Sequence, residues 1–446
     1  MQVKFSTPPL ALAAVLILGC GGSALAQIAV LAGNPTITRP ASSVVDRHPA
    51  GKVAHTSVQY LAFPEAPKGR PATTGPPYSG SYYQTPASIA CIYGVTTAVS
   101  GCSPYTASAN PSGGSRAIAI VDAYDDPNAF SDLSVFSTQF GLVLPTSSNF
   151  QVVYAPPGGA TSGSCNGSVP GAEPPTDPSG GWELEEALDI EMAHSMAPNA
   201  KLYLVEAQSN ALSDLYCAVT VASNLVKTAG GGEVSMSWLA SEYSTETSDD
   251  NLVFTTPNVV YFAAAGDYPA VFYPSTSPNV VSVGGTSLGM SLTTGKFTGE
   301  SAWQLSGGGP SAYEPRPSYQ NNISKTVGSY RGTPDVSANA DPWTAVWVYD
   351  TYQIEGDPAC DLTSGWYCWW EVGGTSVATP IWAGIVNAAG SFSASTSAEL
   401  TKLYADSRSD FNLITSGSCG WYAGWFASSS WNFCTGLGSP RSYKGK

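Results

Sequence analysis

The stretch Ala117-Ile118-Ala119-Ile120-Val121-Asp122 decides the fold class, because five successive apolar residues before an aspartate predict a strand buried on both faces. A helix-like stretch follows it through Phe140, and a second strand pattern covers residues 151–154. Further apolar runs, separated in several places by helical patterns, lie at 202–205, 234–237, 259–264 and 280–283. Strands that alternate with helices predict a mostly parallel sheet covered on both faces, which is the doubly wound α/β class.

The composition and the N-terminus indicate a globular, exported protein. The chain has 446 residues, of which 43% are hydrophobic and 11% charged, so it can bury a full core. Residues 1–26 match a secretory signal, with an apolar run at 10–18 and the small-residue site Ala24-Leu25-Ala26. We therefore expect a secreted or periplasmic protein that does not contact the membrane after signal removal. Lipoprotein anchoring at Cys20 is the alternative.

The charge excludes one class of partner. The net charge is −15 with only 18 lysines and arginines, so the surface should repel phosphate backbones. We expect no nucleic-acid partner and a monomeric protein.

Eight cysteines remain once the signal is removed, an even number that favours disulfides in an exported chain. The close Cys-x-x-Cys or Cys/His pairs that zinc prefers are missing from the sequence, so no zinc site is expected. Eight cysteines allow about 105 connectivities. Their order along the chain favours the local pairs Cys91–Cys102, Cys165–Cys217, Cys360–Cys368 and Cys419–Cys434.

Residues 27–83 are rich in Pro, Ala, Ser and Thr and show little periodicity. This composition predicts an arm or linker, and the organised pattern of the chain begins at residue 84.

An acidic helix is the first candidate for chemistry. Residues 182–194 are good helix formers, and Pro198 falls just past their end. Glu185 and Asp189 are four positions apart, so they share a helix face and should titrate as a coupled pair with one raised pKa. The alternative is an ordinary solvated acidic face, which is the interpretation we give to Glu183, Glu186 and Glu191.

The second candidate is Ser376 in the run GGTSVATPIWAG, residues 373–384. A Gly-Thr-Ser turn that opens a helix of small residues is how a subtilisin-type hydrolase presents its nucleophile, although a serine there can also be a plain N-cap. None of the three histidines lies in the His-Gly-Thr-His context that would supply an imidazole base. A group other than histidine must therefore activate Ser376.

The chain resembles the sedolisins, the serine-carboxyl peptidases. The run GWELEEALDIEMAHSMAPNAKLYLVEA at 181–207 is similar to the catalytic helix of that family. Six further motifs follow in the family's order: SMSWLASE (235–242), AAAGDYPAVFYPSTSPNVVSVGGTSL (263–288), SGGGPSAYEPRPSYQ (306–320), RGTPDVSANADP (331–342), GGTSVATP (373–380) and TGLGSP (435–440). This resemblance implies a subtilisin-like fold and a peptidase domain over residues 84–446.

The resemblance also implies roles for single residues. Ser376 would be the nucleophile, Glu185 its base, Asp189 the partner that orients Glu185, and Asp267 the acid in the oxyanion site. A protonated aspartic acid can donate to an oxyanion, and a carboxylate with a raised pKa can act as a base in acid, so both assignments imply an acidic optimum. The resemblance also concerns two further residues. Asp122 occupies the position of a glutamate that adds a further carboxyl group beside the catalytic pair, and Trp238 occupies a position near the catalytic helix.

Two features depart from the family. Only 57 residues lie between the signal and residue 84, too few for the domain-sized prosegment that relatives carry, so we expect no full prodomain. At the two positions where the family's calcium site has aspartates, this chain has Leu413 and Asn432, so no calcium cofactor and no other metal is expected.

The sequence therefore predicts a secreted serine-carboxyl endopeptidase that hydrolyses proteins or peptides in acid. A tripeptidyl-peptidase of the same family and a catalytically inactive binding protein on the same fold remain open alternatives. A neutral subtilisin is disfavoured because the histidine motif is missing.

Overall fold

The fold is given by a computed structural model, which describes residues 35–45, 52–67, 70–80, 82–166, 171–358, 360–364, 366–406, 408–420 and 425–446. The predicted signal sequence at 1–26, with Cys20, lies outside the described residues.

Eight α-helices are present in this part of the chain: α1 (Pro86–Ile92), α2 (Ala129–Phe140), α3 (Gly181–Met196), α4 (Leu212–Thr228), α5 (Glu246–Val253), α6 (Ser324–Val327), α7 (Thr375–Ala389) and α8 (Thr396–Ala405). The strands are β1 (Thr36–Thr38), β2 (His55–Thr56), β3 (Gln59–Ala62), β4 (Ala117–Ala123), β5 (Phe150–Tyr154), β6 (Lys201–Ala207), β7 (Gly232–Met236), β8 (Trp238–Ser241), β9 (Val259–Ala264), β10 (Phe272–Tyr273), β11 (Val281–Met290), β12 (Phe297–Ala302), β13 (Gly309–Pro315), β14 (Tyr330–Thr333), β15 (Val336–Asn339), β16 (Val346–Tyr349), β17 (Trp369–Gly373), β18 (Phe411–Asn412) and β19 (Ser439–Pro440).

The central sheet has the strand order β12-β11-β9-β7-β4-β6-β5, and β15 pairs with β11 beside this path. Every pairing in it is parallel except that of β11 with β12. Strand β4 alternates between two cores, with Ile118 and Ile120 in one and Ala119 and Val121 in the other. Since side chains of a strand alternate between faces, helices cover both sides of the sheet. The predicted α/β fold with a mostly parallel sheet is confirmed.

Helices α3 and α7 pack closely on one face of this sheet. A side chain at Gly384 of α7 would come within 2.7 Å of Met196 Cβ and 3.0 Å of Ala193 O, both on α3. The small residues predicted for the helix after Ser376 therefore let the two helices approach, and this approach brings the acidic residues of α3 to the start of α7.

The segment 27–83 differs from the linker that its composition suggested. Its described residues include strands β1, β2 and β3. Strand β2 pairs with β8 and β3 with β17 of the main body, β1 pairs with β3, and Val58 and Tyr60 are buried. Strands β2 and β3 form because β8 and β17 offer edges for pairing, which composition alone does not reveal. A domain boundary at residue 84 stays a prediction.

The described part of the chain contains four disulfides, and they join the cysteines that the chain order paired: Cys91–Cys102, Cys165–Cys217, Cys360–Cys368 and Cys419–Cys434. Among the described residues, no helix combines the length and the apolar character needed to cross a membrane.

Candidate active site

Ser376 lies at the second position of α7, directly after β17 and the Gly373-Gly374 turn. Gly374 has φ +119°, a conformation that favours glycine, and a side chain there would collide with the carbonyl oxygen of Ser57. The N-cap of α7 is Gly374, which makes no side-chain hydrogen bond, so Ser376 is not the N-cap that a plain structural role would require. Its Oγ donates to the carbonyl oxygen of Ser237 at 3.2 Å.

Helix α3 supplies the acidic partners. Its first turn is capped by Asp177, whose Oδ2 accepts from the backbone N–H groups of Gly181 and Trp182, each at 3.3 Å. Glu185 and Asp189 follow one helical turn apart, and both side chains are completely buried. Burial against the sheet and α7 places them in the interior rather than on the surface.

The other carboxylates of α3 are also buried, which corrects the expectation of a solvated face. Glu183, Glu186 and Glu191 are each 0% exposed. Glu183 accepts from Asp177 N at 2.6 Å, and Glu191 accepts from Tyr349 N at 3.2 Å. The helical pattern showed where the acids lie on α3, but only the packing around α3 determines that both of its faces are covered.

Three carboxyl groups meet beside Ser376. Burial raises the pKa of Glu185 well above its usual range, and the nearby charges of Asp189 and Asp122 raise it further. Burial and the charge of Asp122 likewise raise the pKa of Asp189, and burial raises the pKa of Asp122 to about 8. The nearby Ser376 hydroxyl lowers the pKa of Glu185. In this structure that hydroxyl donates its hydrogen bond to the carbonyl oxygen of Ser237. Neither carboxyl oxygen of Glu185 has a hydrogen-bond partner among the described residues.

These groups titrate together rather than singly. Three carboxylates in one buried space cannot all be ionised, so they retain protons at a pH where isolated carboxyls have lost them. The structure therefore brings together Glu185, Asp189, Asp122 and Ser376, and the catalytic roles that the resemblance implies for them stay predictions.

Ser237, which is not among the predicted site residues, connects the acids to the serine. Its Oγ donates to Asp189 Oδ1 at 2.8 Å, while its carbonyl oxygen accepts from Ser376 Oγ. It lies between β7 and β8, at the carboxyl end of a central strand, where α/β proteins place their sites. The sequence feature that could have identified Ser237 is its position in the motif SMSWLASE.

Asp267 follows β9 and faces the start of α7. Its Oδ1 accepts from Thr375 N at 2.8 Å and Thr375 Oγ1 at 2.9 Å, and its Oδ2 accepts from Gln59 Nε2 at 2.9 Å. Burial raises the pKa of Asp267 to about 6, and these hydrogen bonds limit the increase. Asp267 therefore changes its protonation state in mildly acidic solution.

Trp238 and His194 have structural positions. Trp238 is buried in the core on the far face of the sheet and donates from Nε1 to Val121 O at 3.0 Å, next to Asp122. His194 Nε2 contacts Val143 O at 2.6 Å, and burial lowers its pKa. The His194 ring therefore bonds to the backbone and does not contact Ser376.

A stretch of the chain itself lies across the site. We call residues 53–62 the cleft segment. Its strand β2 pairs antiparallel with β8, placing Thr56 opposite Trp238, and its strand β3 pairs antiparallel with β17, placing Gln59 opposite Gly373. The cleft segment thus passes Ser376 with a paired strand on each side.

The loop at which the resemblance places a calcium site contains Leu413 and Asn432. Asn432 Oδ1 accepts from Cys434 N and Thr435 N at 3.0 Å each and from Thr435 Oγ1 at 3.2 Å. Leu413 supplies no side-chain oxygen, and the Cys419–Cys434 disulfide closes the loop. Calcium takes six to eight oxygen ligands, so these residues do not fit it. Within the described ranges, no group of three or more His, Cys, Asp or Glu side chains is arranged to hold a metal ion.

Comparison with known proteins finds sedolisin and kumamolisin among the similar sequences. No model of a protein family matches the chain. The chain is 25% identical over 372 residues to sedolisin from Pseudomonas sp. (strain 101), covering 75% of this chain and 58% of the relative. It is 29% identical over 370 residues to kumamolisin from Bacillus sp. (strain MN-32), covering 74% and 59%. The chain therefore spans somewhat less than two thirds of the length of these curated relatives.

Two further matches bear on activity and fold. A tripeptidyl-peptidase from Aspergillus fumigatus is 32% identical over 210 residues, covering 38% of this chain and 31% of the relative. The solved structure of Pseudomonas sedolisin, a serine-carboxyl proteinase in complex with two molecules of pseudo-iodotyrostatin, aligns with a TM-score of 0.61 at 22% identity. The alignment covers 81% of this chain and 96% of that structure, which confirms the expected subtilisin-like fold.

Proposed function

Because the chain belongs to the sedolisin family, we propose that it is a serine-carboxyl peptidase that hydrolyses peptide bonds in acid. The observation that carries this proposal is the position of Ser376 beside the buried carboxyl groups of Glu185 and Asp189, at the carboxyl end of the central sheet. A nucleophile, a base and a group that orients the base are the parts that nucleophilic catalysis requires.

In this mechanism Ser376 Oγ attacks the carbonyl carbon of the scissile bond, and its proton passes to Glu185. Asp189, held by the Ser237 hydroxyl, shares a proton with Glu185 and keeps the carboxyl in position. Glu185 then gives the proton to the leaving amine, and a water molecule releases the acyl group by the same steps. Asp122 extends this carboxyl cluster and helps to keep the pKa of Glu185 raised.

Asp267 is the proposed oxyanion donor. The backbone N–H of Ser376 and a protonated Asp267 would both donate to the developing oxyanion, which a charged Asp267 would instead repel. Since the pKa of Asp267 is raised to about 6, the acid form is available below that pH and is lost above it. This supports an acidic optimum independently of the base.

We propose endopeptidase activity over tripeptidyl-peptidase activity. The cleft segment supports this choice because it continues along β8 on one side of Ser376 and along β17 on the other, as a long substrate would. The match to a tripeptidyl-peptidase keeps the second activity in the test.

The surroundings of the enzyme follow from its covalent structure and charge. Four disulfides support secretion into an oxidising compartment, and the net charge of −15 supports protein or peptide partners rather than nucleic acid. We also propose that the enzyme works without calcium, because the Asn432 oxygen is already used by the loop.

Digestion of a denatured protein between pH 3 and pH 8, followed by mass spectrometry, tests the proposal. Internal cuts that are most frequent in acid support the endopeptidase, and tripeptides removed from the N-terminus support the alternative. The absence of cuts at every pH would contradict peptidase activity and favour an inactive binding protein. Ser376→Ala serves as the matched control for contaminating proteases.

A further inference from the structure

The loop that carries the proposed oxyanion donor is held on both sides of Asp267. We call residues 265–271 the oxyanion loop. The N–H of Gly307 donates to Gly266 O at 2.7 Å, and the next N–H of the chain donates to Ala270 O at 2.9 Å. These two hydrogen bonds fix the backbone immediately before Asp267 and three residues after it.

Residues 306–309 make these two bonds, and we call them the glycine turn. The glycine turn packs tightly on the oxyanion loop, because a side chain at Gly307 would collide with Ala265 O. Its other side packs as tightly on a third stretch of backbone, since a side chain at Gly308 would collide with Phe433 O. The glycine turn is therefore a single layer of backbone between the oxyanion loop and this third stretch.

The third stretch belongs to the loop closed by the Cys419–Cys434 disulfide, which we call the disulfide loop. The structure describes it at 417–420 and 425–434, and both cysteines are completely buried. Ser306 Oγ lies 3.3 Å from Cys434 O, within hydrogen-bonding distance. The disulfide loop thus contacts the glycine turn at its first residue as well as at its third.

The disulfide loop also approaches the oxyanion loop directly. Gly420 lies against Pro269, whose Cβ would be 2.5 Å from a Cβ added at that glycine. Trp425 and Val271 both lie against Gly309, where an added Cβ would be 3.1 Å from the Trp425 ring and 2.8 Å from Val271 Cγ2. The part of the oxyanion loop that follows Asp267 is therefore bordered by the disulfide loop.

The disulfide loop carries no charge that could act on Asp267 from a distance. Residues 411–440 contain no Asp, Glu, Lys, Arg or His. Any effect of the disulfide loop on Asp267 therefore comes from where it places the oxyanion loop. Placement matters for catalysis, because an oxyanion donor acts only within about 2.7–3.1 Å of the oxygen that it stabilises.

We propose that the disulfide loop is a positioning element for catalysis, which holds Asp267 through the glycine turn at the place from which it donates to the oxyanion. The proposal rests on the peptidase function and on the oxyanion role of Asp267 proposed above. The Cys419–Cys434 bond then does more than stabilise its own loop, because its loss reduces kcat in protein that is still folded.

The test compares the full chain with its Cys419→Ser/Cys434→Ser variant at pH 4 and 20 °C. It measures kcat and KM on an unstructured peptide, and circular dichroism shows that each protein is folded. The variant should lose at least about tenfold in kcat, with KM within about threefold of wild type. Cys91→Ser/Cys102→Ser is the matched control, because it removes a disulfide of similar span in a separate cluster, and it should keep kcat within about threefold.

A double-mutant cycle shows whether the loss of kcat runs through Asp267. Asp267→Ala removes the donor, so it should reduce kcat about a hundredfold in wild type. In the variant without Cys419 and Cys434 the donor is already displaced, so the same change should cost at most about tenfold. Equal costs in the two backgrounds would show that the disulfide loop acts independently of Asp267, and would overturn the proposal.

If the variant without the two cysteines does not fold, Trp425→Ala takes its place in the same cycle. This change keeps the disulfide but removes the ring that lies against Gly309 beside Val271, and it should lower kcat at least about fivefold. Phe426→Ala, which truncates the adjacent and 59% exposed aromatic side chain, is its control and should leave kcat within about twofold.

The outcomes separate this inference from the function on which it rests. A folded variant without Cys419 and Cys434 whose kcat stays within about threefold of wild type would overturn the positioning role and leave the peptidase standing. An active wild type in which Asp267→Ala has no effect on kcat would remove Asp267 from the oxyanion site, and this inference with it. Wild-type protein with no activity at any pH from 3 to 8 would overturn the proposed function as a whole.

Discussion

Replacement of Glu186 by glutamine should change how the stability of the protein depends on pH. Glu186 is completely buried, and neither of its carboxyl oxygens has a hydrogen-bond partner in the described part of the chain. Burial raises its pKa well above the usual range, and the charges of Glu206, Asp126 and Asp122 add to the increase. The folded protein therefore keeps a proton on Glu186 to a higher pH than the unfolded chain does.

The sign and size of the effect follow from proton linkage. A raised pKa in the folded state stabilises the protein fully below the unfolded value, about 4.3 for a glutamate, and this stability is lost as the pH rises. Between pH 4 and pH 7 the unfolded chain releases this proton before the folded chain does, and the cost to stability is at most about 3.5 kcal/mol, reached when the folded chain retains the proton throughout. The entropy of unfolding of a chain of 446 residues is roughly 0.9 kcal/mol per kelvin, so this upper limit equals about 4 °C in Tm.

Glutamine has no proton to lose and a similar shape, so E186Q avoids this cost. We expect the Tm of E186Q minus that of the parent to increase from pH 4 to pH 7, by at most about 4 °C. Calorimetry in the Ser376→Ala background measures it without self-digestion. Glu355→Gln, at an exposed position, is the matched control and should show no such increase. A Tm difference for E186Q that is the same at pH 4 and pH 7, within 1 °C, would refute the reasoning.

Three further predictions concern the serine, the oxyanion site and the calcium loop. Ser376→Ala should reduce kcat/KM at least about a thousandfold, and adding Glu185→Ala should reduce it little further, because both act in one step; multiplicative losses would show that they act separately. Asp267→Asn keeps a neutral donor at every pH, so its activity should be reduced in acid but fall less steeply than that of wild type from pH 5 to pH 7; an unchanged pH profile would exclude Asp267 from the oxyanion site. A chelator should leave the Tm unchanged, whereas replacing Cys419 and Cys434 by serine should lower it by several degrees, since a loop of this length is worth about 3 kcal/mol. If metal analysis finds one tightly bound calcium per chain, the proposal that the disulfide stabilises this loop without calcium is wrong.

The parts of the structure that local pattern controls could be predicted from the sequence. The run at 117–122 predicted a buried central strand, because alternation sends Ile118 and Val121 to opposite faces and both are apolar. The spacing of Glu185 and Asp189 placed them on one face of a helix. Joining them to Ser376 required the family resemblance, since 187 positions separate Asp189 from Ser376 in the chain.

The parts that depend on distant partners could not be predicted. Glu183, Glu186 and Glu191 looked like a solvated face, because carboxylates are rarely buried without a cation, and nothing near them in the sequence shows that α3 is covered on every side. The cleft segment looked like a linker for a similar reason. A short strand such as β2 forms only where β8 presents an unpaired edge, and its own residues carry little preference for it.

The most direct test of the central claim is kcat/KM for an unstructured peptide from pH 3 to pH 8, measured for wild type, Glu185→Gln and Glu186→Gln. The two variants change the same group on adjacent residues of α3, but only Glu185 is placed to act on Ser376. Wild type should have its optimum below about pH 6, Glu185→Gln should lose at least about a thousandfold at every pH, and Glu186→Gln should stay within about tenfold of wild type. An optimum near pH 8, or near-full activity in Glu185→Gln, would contradict the Ser-Glu-Asp mechanism.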